Sequence, residues 1–453
     1  MGMGRRETRQ LAMMVPVVRG PAHVFYDRLN KLLDEVKFDI SVETLCQKFF
    51  KENEKGGRPS IAPGVYFRML LVGYFEGIES ERSIEWRCAD SMSLRRFIQI
   101  QDGGRVPDHS TLSRMRTRLD TNIFSGVFDI VLTLVAKHKL LSGSTLGIDS
   151  TMLRADASMK HIVRKDTGEK YQDYTKKLAE AAGETKAKPT AEEAQRHDRK
   201  RKKKKTSNKE WQSKTDDDAR IARMKNGTTK LAYKAEHVVD IDTGAIAEIS
   251  LHHADKGDTA TAQQSLENAV RRIEKATGEK LQKKREVVAD KGYHKLALLL
   301  TLGALGLRTY FPEKKQNGNR HWDDKPVGAS QAFHQNQARC SREKGKQLLR
   351  KRGEFVERPN AHLYETGGMR RLRLRGLENA NKRLVIQGAA ANLGLIMRTK
   401  YKFGTPRGFS SGRRSFLSFW TQISHMAQRI CFALGNWQLG GGNRLLESLQ
   451  SRF

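Results

Sequence analysis

YKAEHVVDIDTGAIAEISLHHA, residues 233–254, decides the fold. Valine and isoleucine crowd two short runs, and Asp242-Thr243-Gly244 between them is a turn signal, so the stretch reads as a β-hairpin. Upstream, TLGIDSTML at 145–153 is a third run of strand character. Downstream, the spacing predicts a helix over Thr259 to Thr277, a buried strand REVVAD at 285–290, a helix from His294 to Leu305 and a strand LRTYFPE at 307–313. Three strands, a helix, a strand, a helix and a strand make a mixed α/β sheet rather than a doubly wound one.

That is the element order of the ribonuclease H-like fold, expected here over residues 141–400. Residues 1–140 read as a helical domain, with amphipathic runs around Val24 to Phe38, Val42 to Phe50, Val65 to Phe75 and Phe124 to Lys139. Within it, VPDHSTLSRMRTRLD at 106–120 has a turn signal at Pro107-Asp108, capping residues at Ser110 and Thr111, and then polar or cationic Ser113, Arg114, Arg116 and Arg118. With a preceding helix over Ser83 to Gln99, this predicts a DNA-binding helix-turn-helix whose Ser110 to Leu119 helix reads a groove. On an ordinary surface helix the same arginines would be solvated.

Composition names the partner class. Lys plus Arg number 84 against 51 Asp plus Glu, a formal charge of +33, which predicts an anionic partner as large as a nucleic acid. Hydrophobic residues make up only 38%, low enough to imply long solvated insertions. Residues 160–226 are polar and include seven consecutive cations, Arg199 to Lys205, a composition that does not bury enough apolar surface to pack; residues 314–340 are similar. Both read as solvated arms or as arms that order on DNA phosphates. Residues 401–453 carry Phe, Trp, Gly and Arg without a motif and are read as a tail of no assigned role. The four cysteines lack CxxC spacing, which excludes a zinc knuckle and a disulfide framework and fits a reducing cytoplasm. MGMGRRETRQ lacks the apolar core of a signal peptide, and the longest uncharged apolar run, Leu296 to Leu307, is too short to span a bilayer, so no membrane partner is expected.

Three carboxylates sit in distinct settings. In LGIDST, Asp149 alternates with aliphatic neighbours on a strand, where an aspartate is disfavoured unless something requires it; Asp156 lies past the apolar stretch and is the weaker candidate. Asp290 ends the buried run Val287-Val288-Ala289, at the carboxyl end of a central strand, and Gly292 beyond it allows close approach. On a helix starting near Ser341, Leu349, Val356 and Leu363 form an apolar seam, while Arg350, Glu354, Glu357 and Ala361 line a polar face. Periodicity places Glu354 and Glu357 equally, and Pro359 is expected to kink the helix just after. Carboxylates pooled from distant segments are how proteins hold two divalent metal ions against a phosphodiester.

The runs EWRCADSMSLRRFIQI, VPDHSTLSRMRTRLD, LGIDSTMLRADA, IARMKNGTTKLAYKAEHVVDIDTGAI, HHADKGDTATA, VVADKGYHK and VERPNAHLYETGGMRRLRLRGLENANKRLVIQGAAANLGLIMR resemble, in order, the DDE transposases of bacterial insertion sequences. The resemblance implies a ribonuclease H-like catalytic domain whose triad is Asp149, Asp290 and Glu357, and so chooses Glu357 over Glu354. It implies two Mg²⁺ or Mn²⁺ ions per site, cleavage and strand transfer on double-stranded DNA carrying terminal inverted repeats and on target DNA, self-association in a synaptic complex, and a bacterial cytoplasmic, nucleoid-associated location. The family often carries a Tyr seven and an Arg four residues before the Glu; here those positions hold Arg350 and Gly353, with Arg352 displaced by one, so Arg350 and Arg352 are the candidate phosphate-contacting cations. The alternatives are a hydrolysis-only nuclease of this fold and a catalytically silent DNA-binding descendant.

Overall fold

The computed structural model describes residues 23–50, 60–101, 104–182, 189–200, 207–279, 285–314 and 321–407. The amino-terminal region is helical, as expected: α1 (Val24–Asp34), α2 (Phe38–Cys46), α3 (Pro63–Glu76), α4 (Glu81–Asp90), α5 (Met92–Phe97), α6 (His109–Arg118) and α7 (Thr121–Lys137). Ser80, Ser91, Asp108 and Asp120 cap α4 to α7, each side chain accepting the amide hydrogen three residues on. The Ser91 cap divides the expected Ser83 to Gln99 helix into α4 and α5. Residues 98–108 then separate α5 from α6, longer than the three- or four-residue turn of a helix-turn-helix. Arg68 of α3, fully buried, ties the bundle together: its Nε and Nη2 donate to Asp39 of α2 at 2.8 Å each, and Nη1 donates to the Phe97 carbonyl at 3.0 Å.

The strands are β1 (Thr145–Arg154), β2 (Ile162–Arg164), β3 (Trp211–Ser213), β4 (Arg220–Arg223), β5 (Thr229–Asp240), β6 (Ile246–His253), β7 (Glu286–Val288) and β8 (Arg308–Tyr310). The main sheet runs β6-β5-β1-β7-β8, with β4 also paired to β5. The hairpin β5–β6 forms as read; β5 is antiparallel to β1, while β7 and β8 continue parallel to it. This mixed topology, first strand central and the hairpin on one side, is the ribonuclease H-like arrangement.

The remaining helices are α8 (Tyr171–Ala181), α9 (Ala191–Lys200), α10 (Asp258–Thr277), α11 (Leu296–Ala304), α12 (Ala329–Ser341), α13 (Glu343–Glu365) and α14 (Leu377–Tyr401). Strand alternation sorts the faces of β1. Ser150 points toward α10, bonding Asp258, whereas Gly147 and Thr151 meet Val356 and Tyr364 of α13. A Cβ at position 147 would overlap Val356 and lie 2.7 Å from Ile241 Cγ2, so the helix rests on the strand only because that residue is glycine. Pro359 lies inside α13, which continues through it instead of breaking. Helix α14 covers the outer edge of β6: Asn392 accepts from the Ile246 amide at 2.9 Å and donates to its carbonyl at 2.8 Å, and Asn381 accepts from Leu251 at 3.0 Å. Helix α7 packs on α10 and α14, and one buried apolar cluster runs from Phe25 to Met397.

The polar insertions pack where they are described, contrary to the compositional expectation. In residues 160–226, β2 pairs with β3, and buried Trp211 stacks edge-on with Tyr171 and Tyr174 at 5.2 Å each, with Arg164 over both Trp211 and Tyr174. Three aromatic rings supply a small core that average polarity conceals. Of the seven-cation run, Arg199 and Lys200 end α9 and 201–205 lie outside the described residues. In 314–340, α12 buries Phe333, and Asn336 binds the Phe311 amide and carbonyl at 3.0 and 2.8 Å. Of the tail, 408–453 lie outside the described residues. Among the described residues no single helix is long and apolar enough to cross a membrane.

Candidate active site

Asp149 lies mid-β1 on the face covered by α13. In the parallel ladder the last pair of β1 and β7 is Gly147 with Val288, and two residues past each lie Asp149 and Asp290. Register therefore brings Asp149 on β1 and Asp290, two residues beyond the end of β7, to the same level of the sheet, where adjacent strands are about 4.8 Å apart. Asp290 also accepts the Gly292 amide hydrogen at 2.7 Å. A Cβ at Gly292 would fall 2.8 Å from Asp290 Oδ1 and 3.3 Å from Asp258 Oδ2, so two carboxylates flank that glycine.

Glu357 is carried by α13 but is exposed, like Glu354, which pairs with Arg358. The contact that α13 does make to Asp149 comes from Arg352, whose Nη2 lies 3.1 Å from Asp149 Oδ1, with the two side chains 17% and 14% exposed. Arg352 Nε is buried with no hydrogen-bond partner among the described residues. Arg350 is exposed on the same helix. Opposite Asp149 on β5 stands His237, its Nε2 at 3.2 Å from the Val356 carbonyl; burial holds this imidazole below its usual pKa, against the pull of Asp149. Donating to that carbonyl fixes one tautomer and ties α13 to β5.

A buried polar network backs the site on the α10 face. Lys234 Nζ donates to Thr261 at 2.8 Å and stands 3.5 Å from Asp258 and 3.8 Å from Glu236. Glu236 accepts from Thr261, Ser265 and Tyr293 at 2.8, 2.5 and 3.2 Å, and burial raises its carboxyl pKa. Ser150 donates to Asp258 at 2.7 Å. Sequence reading missed His237, Lys234, Glu236 and Asp258. For the three on β5 the signal available was polar residues within an otherwise apolar strand, of which register aligns His237 with Asp149 and Glu236 with Ser150.

The α6 candidates divide. Ser110 and Arg114 are exposed, joined by a 3.1 Å hydrogen bond. Arg116 instead turns inward to an ion pair with Glu81 of α4, and its Nη2 donates to Ser113 at 3.0 Å. Arg118 lies over the Phe50 ring at 5.4 Å. Asp156 pairs with Arg371 at 2.8 Å and Arg375 at 3.3 Å.

Does this donor set fit the divalent ions that the resemblance implies? Three carboxylates without nitrogen or sulfur suit a hard cation. Asp149 and Asp290 stand at one level of the sheet by register, but Arg352 holds Asp149, Glu357 is turned to solvent, and among the described residues no three His, Cys, Asp or Glu side chains are grouped to hold a metal. The chemistry fits, and the described arrangement leaves α13 to complete it.

No curated protein matches the sequence. Among solved structures, a piggyBac transposase synaptic complex with hairpin DNA is similar at 10% identity over 84% of this chain and 76% of that one, with a TM-score of 0.34. A Mos1 transposase paired-end complex with the left transposon end (13% identity, 79% and 90% coverage, TM-score 0.19) and a Mos1 mariner paired-end complex with Mn (13%, 77% and 89%, 0.20) follow. Family comparison is more direct. The Transposase domain (DUF772) matches residues 18–118, across the helices before the sheet. The Transposase DDE domain matches residues 148–393, from the strand of Asp149 through most of α14. Because that match takes in more than half of the chain, including the segments that carry Asp149 and Asp290, the protein belongs to the DDE transposase family.

Proposed function

We propose that the protein binds the ends of its mobile element and performs metal-dependent strand cleavage and strand transfer with Asp149, Asp290 and Glu357. The single observation that supports this reading is the β1–β7 register, which brings Asp149 and the segment of Asp290 to one level of the sheet, with α13, the helix of Glu357, packed on β1. When bound at these carboxylates, a pair of Mg²⁺ or Mn²⁺ ions would activate water or a DNA 3′-hydroxyl and stabilise the leaving oxygen. The chain's own part is positional. Asp290 is oriented by the Gly292 amide, His237 fastens α13 to β5, and Arg352 supplies Asp149 with a positive charge. Its guanidinium is of a kind that would also suit a phosphate oxygen of DNA at this site. End recognition is assigned to residues 1–140, with Ser110 and Arg114 on the open face of α6, and joining of paired ends is assigned to a self-associated synaptic complex.

The test is to incubate purified protein with duplex DNA spanning the genomic flanks of its gene and Mg²⁺ or Mn²⁺, and to map cut and joined ends. Asp149→Ala, Asp290→Ala and Glu357→Ala are each expected to lower cleavage by more than about 100-fold, beyond the cost of losing an outer-shell partner, while sparing DNA binding. Near-normal cleavage by any of the three removes that residue from the site. Cutting without joining would make the chain a nuclease.

A further inference from the structure

A cavity of about 570 Å³ opens where α11, α12 and α13 meet the edge formed by β7 and β8. Glu286 and Arg308, the first residues of those strands, line it. Asp290 lies four residues beyond Glu286, about 13 Å along an extended chain. The Glu286 and Arg308 end of the cavity therefore faces away from Asp290, and Tyr310, level with Val288, lines its nearer side.

Its charge is lopsided. Four cations, Arg308, Arg339, Arg342 and Lys344, face one carboxylate, Glu286. Lys344 answers that carboxylate at 2.6 Å, and the Tyr310 hydroxyl donates to the same oxygen at 2.9 Å. Arg339 is fixed by neutral partners, donating to the Thr309 carbonyl at 2.9 Å and hydroxyl at 3.2 Å, so its charge has no counter-ion among the described residues. Arg308 and Arg342 are exposed and make no ion pair among the described residues. Arg342 is also the N-cap of α13 and gives the helix no side-chain cap, so the positive end of the helix dipole adds to the same side. The wall is firm, because Asn336 locks α12 to the backbone just past β8. Three uncompensated guanidinium groups around one cleft repel one another unless an anion lies between them, and bidentate guanidinium geometry matches phosphate oxygens.

We propose that this cleft is a second phosphodiester-binding groove, gripping the backbone of a DNA segment distinct from the one at the carboxylates. The inference rests on the reading that the protein handles DNA. Two sources share this chemistry: DNA of the element's own end, farther from the cut, and the target duplex. The groove is blind to base sequence, since guanidinium groups bound to phosphate position a duplex without reading it.

The experiment measures how the affinity of the full chain falls with salt, by fluorescence anisotropy, for a duplex taken from the genomic flank of the gene and for a random duplex of equal length. The slope of log K against log salt becomes shallower by about 0.9 for each phosphate that the protein no longer neutralises. The double variant Arg308→Ala/Arg342→Ala is expected to lose about two units of slope with an unchanged melting temperature, and Arg308→Lys/Arg342→Lys to keep most of it. A shallower slope on the flank duplex alone assigns the groove to the element's end; a shallower slope on the random duplex assigns it to target DNA. Should the double variant unfold, each single variant is expected to lose about one unit. Wild-type slopes in variants that fold overturn the groove, whereas a wild-type chain that binds neither duplex overturns the DNA reading beneath it.

Discussion

Asp149 is paired with Arg352, which spares the protein an unpaired, mostly buried carboxylate. A divalent ion at the same oxygen would compete with the arginine. Breaking a fully buried pair costs about 3–5 kcal/mol; here solvent reaches both side chains and the cost is smaller. Arg352→Gln is expected to melt lower than wild type in metal-free buffer and to gain more stability from Mn²⁺, because a ligand stabilises in proportion to its affinity for the folded state. Equal Mn²⁺ shifts in both proteins would mean that the arginine does not compete. At this scale the sequence was legible where placement is local. Strand alternation puts Asp149 within β1, and a strand end puts Asp290 just past β7. It was opaque for Arg116, whose partner Glu81 lies in another helix, and for Arg118, which covers Phe50. No spacing rule reports which arginines of an amphipathic helix another element will claim.

Elements were legible in proportion to their periodicity. The hairpin at Asp242-Thr243-Gly244 and the helices from Asp258 and Leu296 follow from alternation and from 3.6-residue spacing. The insertion was misjudged because a small aromatic core does not move average composition. Trp211→Ala is expected to cost that subdomain about 3–5 kcal/mol and to open residues 160–226 to proteolysis, with the melting of the main core unchanged. Loss of the whole fold instead would show that the insertion is part of the central core. Between α2 and α3, Asp39→Ala leaves the Arg68 guanidinium buried without its carboxylate, for an expected loss of about 3–5 kcal/mol by denaturant titration. A change under about 1 kcal/mol would mean that water or Asn30 replaces the carboxylate.

For the whole molecule, the boundary near residue 140 separates two textures of sequence but not two cores. Phe124, Phe128 and Leu132 of α7 belong to the same buried cluster as Leu266 of α10 and Leu393 of α14. A fragment of residues 141–407 therefore exposes the surface that α7 covers, and is expected to bind a hydrophobic dye and melt without cooperativity. A sharp transition in that fragment would restore the two-domain division. Helix α13 spans the same scale. At 23 residues it is a rod about 35 Å long. Arg342 and Lys344 stand at its first turn, Arg352 and Glu357 are at mid-length, and Val356 seats the rod on the bare backbone of Gly147. The rod is held to the sheet at further points along its length, by Asp149 at Arg352, His237 at the Val356 carbonyl and Thr151 at Tyr364. Gly147→Ala sets a methyl where Val356 and Ile241 already meet the strand, so it is expected to lift α13 from β1 and lower the melting temperature; an unchanged melting temperature would mean that the two aliphatic side chains give way instead.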